Sequence, residues 1–486
     1  MRTLVIDVGT SGLRAAVVND DTSVSDLHHE EFAPSTPAPG LVEFDAEAMH
    51  EAVLRVAAAA MGGRPVDAVG ITNQRASTIG WRRSTGRPIG PAIGWQDLRT
   101  VGDCIMARVN HGLALAPNQS ATKIAWMLAN YLPDDAARAH DDILFGTVDT
   151  WLTWKLSGGV SHVTDRTNAA VTGLTVASGA QWNPAVLSAL GLHAHQLPSI
   201  VPTAGPVAVA TGLPGAPPVT ALVGDQQASL VGQGCITPGK AKITFGTGGM
   251  LDMYVGTSAP DSARRSTGGT FPIVAFSDTE ATHYGVEAIM LSAGTNVEWL
   301  RDDMGLIRSA AESDGVAASV ASTDGVAYVP ALLGLGTPHW DYGARGALFG
   351  ITRGTTRAHV VRAVLEGIAH RGVDLVDAAE TDTGIEVGEL HIDGGMCRNA
   401  TFVQALADAA GRPVTVSPVT EATTLGAGLL AGTAAGQWRT LADACAGTGG
   451  FRTVHPLGAP GLSRQQWSEA VSRARGWIPD LSALDF

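Results

Sequence analysis

The sequence predicts an α/β protein of two domains facing each other, and three observations carry that expectation. A strand, a Gly/Thr/Ser turn and a second strand open the chain, and the same unit recurs halfway along. The chain's 486 residues also exceed what one ordinary core accommodates. With 45% hydrophobic and 16% charged residues, the composition is that of a well-buried globular enzyme.

The first element is Thr3-Leu4-Val5-Ile6, mostly β-branched, followed by Asp7-Val8-Gly9-Thr10-Ser11-Gly12. Leu13-Arg14-Ala15-Ala16-Val17-Val18 then reads as a second strand, so the unit is a hairpin. A dinucleotide-binding fold or a P-loop would place a helix after the glycines, and no GKS or GKT is present. Val69-Gly70-Ile71 is a further apolar strand that ends in Asn73-Gln74-Arg75, and another short strand leads to Trp95-Gln96-Asp97.

Residues 167–224 hold no Lys, Arg, Asp or Glu and are rich in Pro and Gly. They are expected to be part loop and part buried connection, with an oligomer contact as the alternative. The second hairpin runs from Lys242-Ile243-Thr244-Phe245 through Gly246-Thr247-Gly248-Gly249 into Met250-Leu251-Asp252-Met253. Two such hairpins suggest an internal duplication with a boundary near Thr237-Pro238-Gly239, giving halves 1–237 and 238–486. Beyond it, Val361, Val364, Leu365, Ile368 and Gly372 share one face of an amphipathic helix. A third strand, Glu389-Leu390-His391-Ile392, ends in Asp393-Gly394-Gly395.

Several function classes are excluded on composition. A net charge of −14, with no basic cluster longer than a pair of arginines, repels nucleic acid. No 18-residue apolar run escapes Pro or Gly, so no membrane span is expected. Asp7 stands too early for the apolar core of a secretory signal. Cys104, Cys235, Cys397 and Cys445 lie far apart, and reduced buried thiols in a cytosolic protein are expected rather than disulfides or a metal site.

A hairpin tip of Gly, Thr and Ser is suited to phosphate. Its backbone N–H groups point into a concavity, its hydroxyls add donors, and absent side chains let phosphate oxygens approach. Gly9, Thr10 and Ser11 fit that description, Arg14 adds a fixed positive charge, and Asp7 is placed to hold Mg²⁺ through water. One such turn is equally an ordinary β-turn; the second copy at residues 246–249 favours the phosphate reading.

In Val223-Gly224-Asp225-Gln226-Gln227, an Asp at a strand end is placed to accept a proton from an attacking hydroxyl, with Gln226 orienting it. The same tripeptide also reads as a helix start with Asp225 as N-cap. Arg75 and Trp95 offer a rigid fork of donors and a flat wall for a polyhydroxylated ligand, or else are a surface arginine and a core tryptophan.

Together these segments resemble the FGGY carbohydrate kinases, and within them the glycerol-kinase branch, over nearly the whole chain. The resemblance rests on Gly70-Ile71-Thr72-Asn73-Gln74-Arg75 with Trp95-Gln96-Asp97, and on Phe145-Gly146-Thr147-Val148-Asp149-Thr150-Trp151-Leu152. His162-Val163-Thr164-Asp165, Thr167-Asn168-Ala169, Trp299-Leu300-Arg301-Asp302-Asp303-Met304 and Gly334-Leu335-Gly336-Thr337-Pro338-His339-Trp340-Asp341 extend it.

It implies two actin-like, ribonuclease H-like domains with a nucleotide cleft between them, and ATP-dependent phosphorylation of a small polyol or sugar. By position, it makes Asp225 the general base, and Asp7 with Asp225 the Mg²⁺-associated carboxylates. Gly9, Thr10, Ser11 and Arg14 would form the phosphate hairpin, and Gly246 with Thr247 the second phosphate loop. Gly294, Glu298 (where the family usually has Gln), Gly395 and Asn399 would line the nucleotide pocket. A homodimer or homotetramer is the implied assembly.

The acceptor site departs from that pattern. Ala76 stands where glycerol kinases usually carry a Glu that accepts hydrogen bonds from glycerol; Asn118 falls in the segment of the acceptor Tyr, and Met250 replaces an aromatic residue. Arg75, Trp95, Asp225 and Gln226 stay. Two acceptor readings are open: a four- or five-carbon polyol or ketose in an enlarged pocket, or glycerol with neighbouring side chains compensating. A non-kinase actin-like ATPase is the remote alternative. A further implication concerns regulation. Some family members bind fructose bisphosphate through an arginine-bearing loop before the Asp-Gln-Gln motif, and that region has no arginine here, so such inhibition is expected to be missing.

Overall fold

A computed structural model describes residues 1–132, 141–260, 268–418, 421–458 and 461–483. Among these, two mixed sheets dominate. The first runs in the order Ala204–Val209, Pro218–Gly224, Ala68–Asn73, Arg2–Val8, Gly12–Asn19, Val24–Glu31. The opening hairpin is antiparallel, with Asp7 opposite Arg14, while Arg2–Val8, Ala68–Asn73 and Pro218–Gly224 run parallel.

The second sheet runs Phe271–Ser277, Thr282–Met290, Gly249–Gly256, Lys240–Phe245, Glu389–Asp393, Val414–Val416, Arg452–Val454. Its hairpin Lys240–Phe245/Gly249–Gly256 is again antiparallel, and Lys240–Phe245, Glu389–Asp393 and Val414–Val416 again run parallel. Three antiparallel strands and two parallel ones beside the first strand thus occur twice, which is the duplicated ribonuclease H-like topology expected from the resemblance.

The strand period of two explains why the first sheet is apolar throughout. In Arg2–Val8, Leu4 and Ile6 pack to one side under helix Ala46–Met61, with Met49, Val53 and Val56. Val5 packs to the other side with Ala228, Val231, Leu425 and Leu429. Both faces are covered, as buried parallel strands require. Each fully buried Leu, Ile or Val stabilises the fold by roughly 1.5–3 kcal/mol before entropy is counted.

The second sheet is covered by helix Arg357–Thr383, whose Val361, Val364, Leu365 and Ile368 are buried against Ile243, Leu251 and Ile392 as the periodicity predicts. Gly372 belongs there for a steric reason, since a Cβ would stand 2.9 Å from the Phe245 ring. The four cysteines are free; three are buried and Cys445 is half-buried.

One expectation changes, and one packing contact was not foreseen. The stretch 167–224 is more ordered than expected: it holds helix Pro184–Leu190 and strands Ser199–Val201, Ala204–Val209 and Pro218–Gly224. Helix Ala422–Ala434, late in the chain, lies against the first sheet rather than the second. Its sequence, Ala-Thr-Thr-Leu-Gly-Ala-Gly-Leu-Leu-Ala-Gly-Thr-Ala, is small and apolar all round, so it is buried on several sides. It crosses helix Asp225–Gly232 closely enough that a Cβ on Gly426 would stand 1.8 Å from the Ala228 carbonyl oxygen.

Candidate active site

Three parallel strands of the first sheet end at one edge, and the residues that follow them meet there. Asp7, Arg75 and Asp225 come from the ends of Arg2–Val8, Ala68–Asn73 and Pro218–Gly224 respectively. Asp225 is the first residue of helix Asp225–Gly232; the N-cap is Gly224, so the side chain is not spent on capping, and its Oδ1 accepts from the Gln226 N–H at 2.8 Å. The Gly224 N–H donates to Thr167 Oγ at 2.8 Å, and Thr167 is held by Asp165, which fixes the peptide just before Asp225.

Asp7 is buried, accepts from Thr424 Oγ at 3.2 Å and lies 3.8 Å from Arg14, which also pairs with Glu421 at 2.5 Å. Burial raises the Asp7 pKa to about 6 despite Arg14, and the charge on Asp225 adds to the rise. Burial likewise pushes Asp225 up, opposed by Arg75. Trp95 is 37% exposed and donates through Nε1 to Thr10 Oγ at 3.0 Å, which ties it to the tip of the first hairpin.

The second sheet faces these groups with a row of charged side chains. Lys242 stands opposite Asp252, and Asp252 opposite Glu287, on three neighbouring strands in register. Lys242 and Asp252 are fully buried and 2.7 Å apart. Arg75 reaches across from the first half to Glu287 at 2.8 Å, places Nη2 3.6 Å from Met250 Sδ, and keeps Nε 3.6 Å from Asp225. Burial alone would lower the Arg75 pKa, but Glu287 and Asp225 hold it above its ordinary value; burial pushes Glu287 up to about 7. Gln226 is also drawn across, its Oε1 accepting from Lys242 Nζ at 2.6 Å.

A second group of candidates gathers around the other hairpin. The Gly294 N–H donates to the Gly246 oxygen at 2.9 Å, and the Ala293 N–H to the Thr247 oxygen at 2.8 Å, so helix Gly294–Asp302 starts on the tip. Glu298 is exposed on that helix. Gly394 has φ +94°, a conformation that favours glycine, and a Cβ there would meet the Phe245 carbonyl oxygen at 2.3 Å. At Gly395 a Cβ would meet nothing within 4 Å. Asn399 caps helix Ala400–Ala410 and donates to Ser313 Oγ at 2.9 Å. Asp393 links the two groups, accepting from Gln233, the residue just past helix Asp225–Gly232, at 2.8 Å.

Ala76 and Asn118 sit at the side of the first group. Ala76 is buried with φ +63°, and its carbonyl accepts from Ser120 Oγ at 3.0 Å. Asn118 is exposed, and its carbonyl accepts from the buried Lys123 at 3.4 Å. Glu287, Lys242, Asp252, Glu421 and Thr424 were not expected from the sequence. The available signal for three of them was a lone charge inside an apolar strand, which cannot be paired without the register.

Models of the FGGY family of carbohydrate kinases match residues 2–232 for the N-terminal domain and 241–435 for the C-terminal domain. A glycerol kinase of Bordetella parapertussis is 41% identical over 98% of this chain and 97% of its own. One from Trichlorobacter lovleyi is 40% identical over 98% and 99%. Among solved structures, Plasmodium falciparum glycerol kinase with ADP is similar with a TM-score of 0.89 at 26% identity, covering 100% of this chain and 99% of that one. A ligand-bound xylulose kinase from Lactobacillus acidophilus shares the fold, with a TM-score of 0.83 at 19% identity, covering 97% and 96%.

Proposed function

This chain belongs to the FGGY family of carbohydrate kinases and is a glycerol kinase-like ATP-dependent kinase, and from that premise we propose that Asp225 is the general base that activates the acceptor hydroxyl. The observation that carries the assignment is its position: at a strand end, on the first turn of a helix, beside Arg75 and within electrostatic reach of Asp7. A raised pKa brings a carboxylate closer to the range useful for proton transfer, and Arg75 opposes the rise.

The cofactors are ATP and Mg²⁺, and the residues present fit both. The charge on Asp225 adds to the rise of the Asp7 pKa, as expected of two carboxylates near a cation site, and Asp7 is held at 3.8 Å from Arg14. Among the described residues no cluster of three or more His, Cys, Asp or Glu forms a cage, which suits an ion that keeps water and phosphate ligands. The open space at Gly395 suits a nucleotide. When bound, Mg²⁺ offsets the charge on the phosphates during transfer. The backbone of residues 9–11 and 246–247 would hold phosphate oxygens, Arg14 would supply fixed charge, Gly294, Glu298 and Asn399 would line the nucleotide pocket, and closure of the two halves would exclude water.

Arg75, Trp95, Gln226 and Met250 form the acceptor side with Ala76 and Asn118. With no carboxylate at position 76, glycerol loses a charge-assisted hydrogen bond worth roughly 1.5–3 kcal/mol, and the pocket gains room. The acceptor on this reading is a polyol or ketose of four or five carbons. Glycerol itself is the second reading, favoured by the glycerol kinases that match over the full length.

The test is ADP release with Mg-ATP across glycerol, erythritol, threitol, ribitol, xylitol, xylulose and ribulose. A larger acceptor ahead by about tenfold in kcat/KM supports the shifted pocket; glycerol clearly ahead overturns it. Asp225→Asn should lower kcat by about 10²–10⁴-fold; retained turnover would remove Asp225 as base. The four free cysteines support a cytosolic location, and among the described residues no helix is long and apolar enough to cross a membrane. Light scattering tests the proposed homodimer or homotetramer.

A further inference from the structure

We infer that Lys242 is a positioning residue that sets which end of the Gln226 amide faces the acceptor. This rests on the reading that Gln226 binds the acceptor, and goes beyond it in assigning the group that orients the amide.

An amide side chain has an acceptor end and a donor end of nearly equal shape, so its orientation is decided by its partners. Lys242 Nζ has three N–H donors and no acceptor. One goes to Asp252 at 2.7 Å, one to Thr244 Oγ at 3.1 Å, and one to Gln226 Oε1 at 2.6 Å. Turning the amide over would set N–H against an ammonium group with no exposure to water. Gln226 therefore presents Nε2 to the cleft, and the acceptor must offer a lone pair there, from a hydroxyl or a carbonyl oxygen.

Asp252 holds the clamp. It stands directly opposite Lys242 on the neighbouring strand and offsets its charge. The clamp also spans the two halves, because Gln226 follows the first sheet and Lys242 belongs to the second. The donor end of Gln226 is thus fixed only while the halves are in register, which couples acceptor recognition to closure.

The test is a cycle between Gln226→Ala and the double variant Lys242→Met/Asp252→Leu, which removes both members of the buried ion pair together. Gln226→Ala should raise the acceptor KM about tenfold, the loss of one good hydrogen bond. The double variant should raise it by a similar factor with the ATP KM unchanged and kcat within about threefold, and should add nothing in the Gln226→Ala background. A Tm close to the parent's marks a folded variant; if the double variant does not fold, Lys242→Gln with Asp252→Asn takes its place.

Unchanged acceptor KM in a folded double variant, or full additivity with Gln226→Ala, overturns the clamp while leaving Gln226 as an acceptor ligand. A Gln226→Ala enzyme with unchanged acceptor KM overturns the acceptor-site reading and the clamp with it.

Discussion

On the proposed acceptor reading, the side chain at position 76 sets part of the pocket's chemistry. Ala76 Cβ sits on a backbone at φ +63°, already in the left-handed region, so a larger L-residue adds little backbone cost beyond what alanine carries. Ala76→Glu combined with Asn118→Tyr should raise kcat/KM for glycerol relative to C4–C5 polyols by about tenfold or more, measured in the same ADP-release assay. Lys123 gives a second prediction. It is fully buried, and burial lowers its pKa to about 7 from 10.5, against the pull of Asp97. Between those values the folded state binds fewer protons than the unfolded chain, so stability rises with pH across the window, and the burial cost is full below it. Lys123→Met should therefore raise Tm, by more at pH 6.5 than at pH 9.5, with a gain of at most about 5 kcal/mol. Residue identities at these places were legible from motif position alone. Their environment was not: nothing in Ser-Ala-Thr-Lys marks the lysine as buried.

Elements were legible where the signal is local. Both glycine-tipped hairpins, the strand before Asp225 and the helix at residues 357–383 follow from alternation or 3.6-residue spacing within the segment. The row Lys242–Asp252–Glu287 was not, because it exists only through the register of three strands whose connections are long or turn back. The helix crossing at Gly426 is another non-local feature with a local consequence. Helix Asp225–Gly232 carries the proposed base, and helix Ala422–Ala434 carries Thr424, which donates to Asp7. Gly426→Val should force these helices apart and cost about 3 kcal/mol. It should reduce kcat further than the loss of folded protein explains, as read by comparing turnover with the folded fraction from circular dichroism. The hairpin Ala204–Val209/Pro218–Gly224 carries its own expectation: fructose 1,6-bisphosphate should leave the rate unchanged. Inhibition that disappears on shortening residues 212–218 would overturn it.

In the whole molecule the two halves share an apolar core, with helix Ala422–Ala434 packed on the first sheet, and meet besides through directional polar contacts. Thr203 and Ser277 exchange hydrogen bonds, each backbone N–H donating to the other's hydroxyl at 3.0 Å, and Arg75 and Gln226 reach into the second sheet's charged row. Mg-ATP analogue and acceptor together should draw the halves closer, seen as a smaller radius of gyration in solution scattering than with either alone. The helix Ala422–Ala434 gives the architecture one more consequence. The first sheet's inner face, with Val5, Val18 and Val223, is completed by helix Ala422–Ala434, which follows the sheet's last strand only after a long stretch of chain. A ribosome that has translated only residues 1–237 holds all six strands, but the face of the sheet that helix Asp225–Gly232 shares with helix Ala422–Ala434 is only partly covered, so the nascent chain should bind chaperones until that second helix emerges. Released on its own, that fragment should aggregate, and should be rescued by co-expressing residues 238–486 as a separate chain.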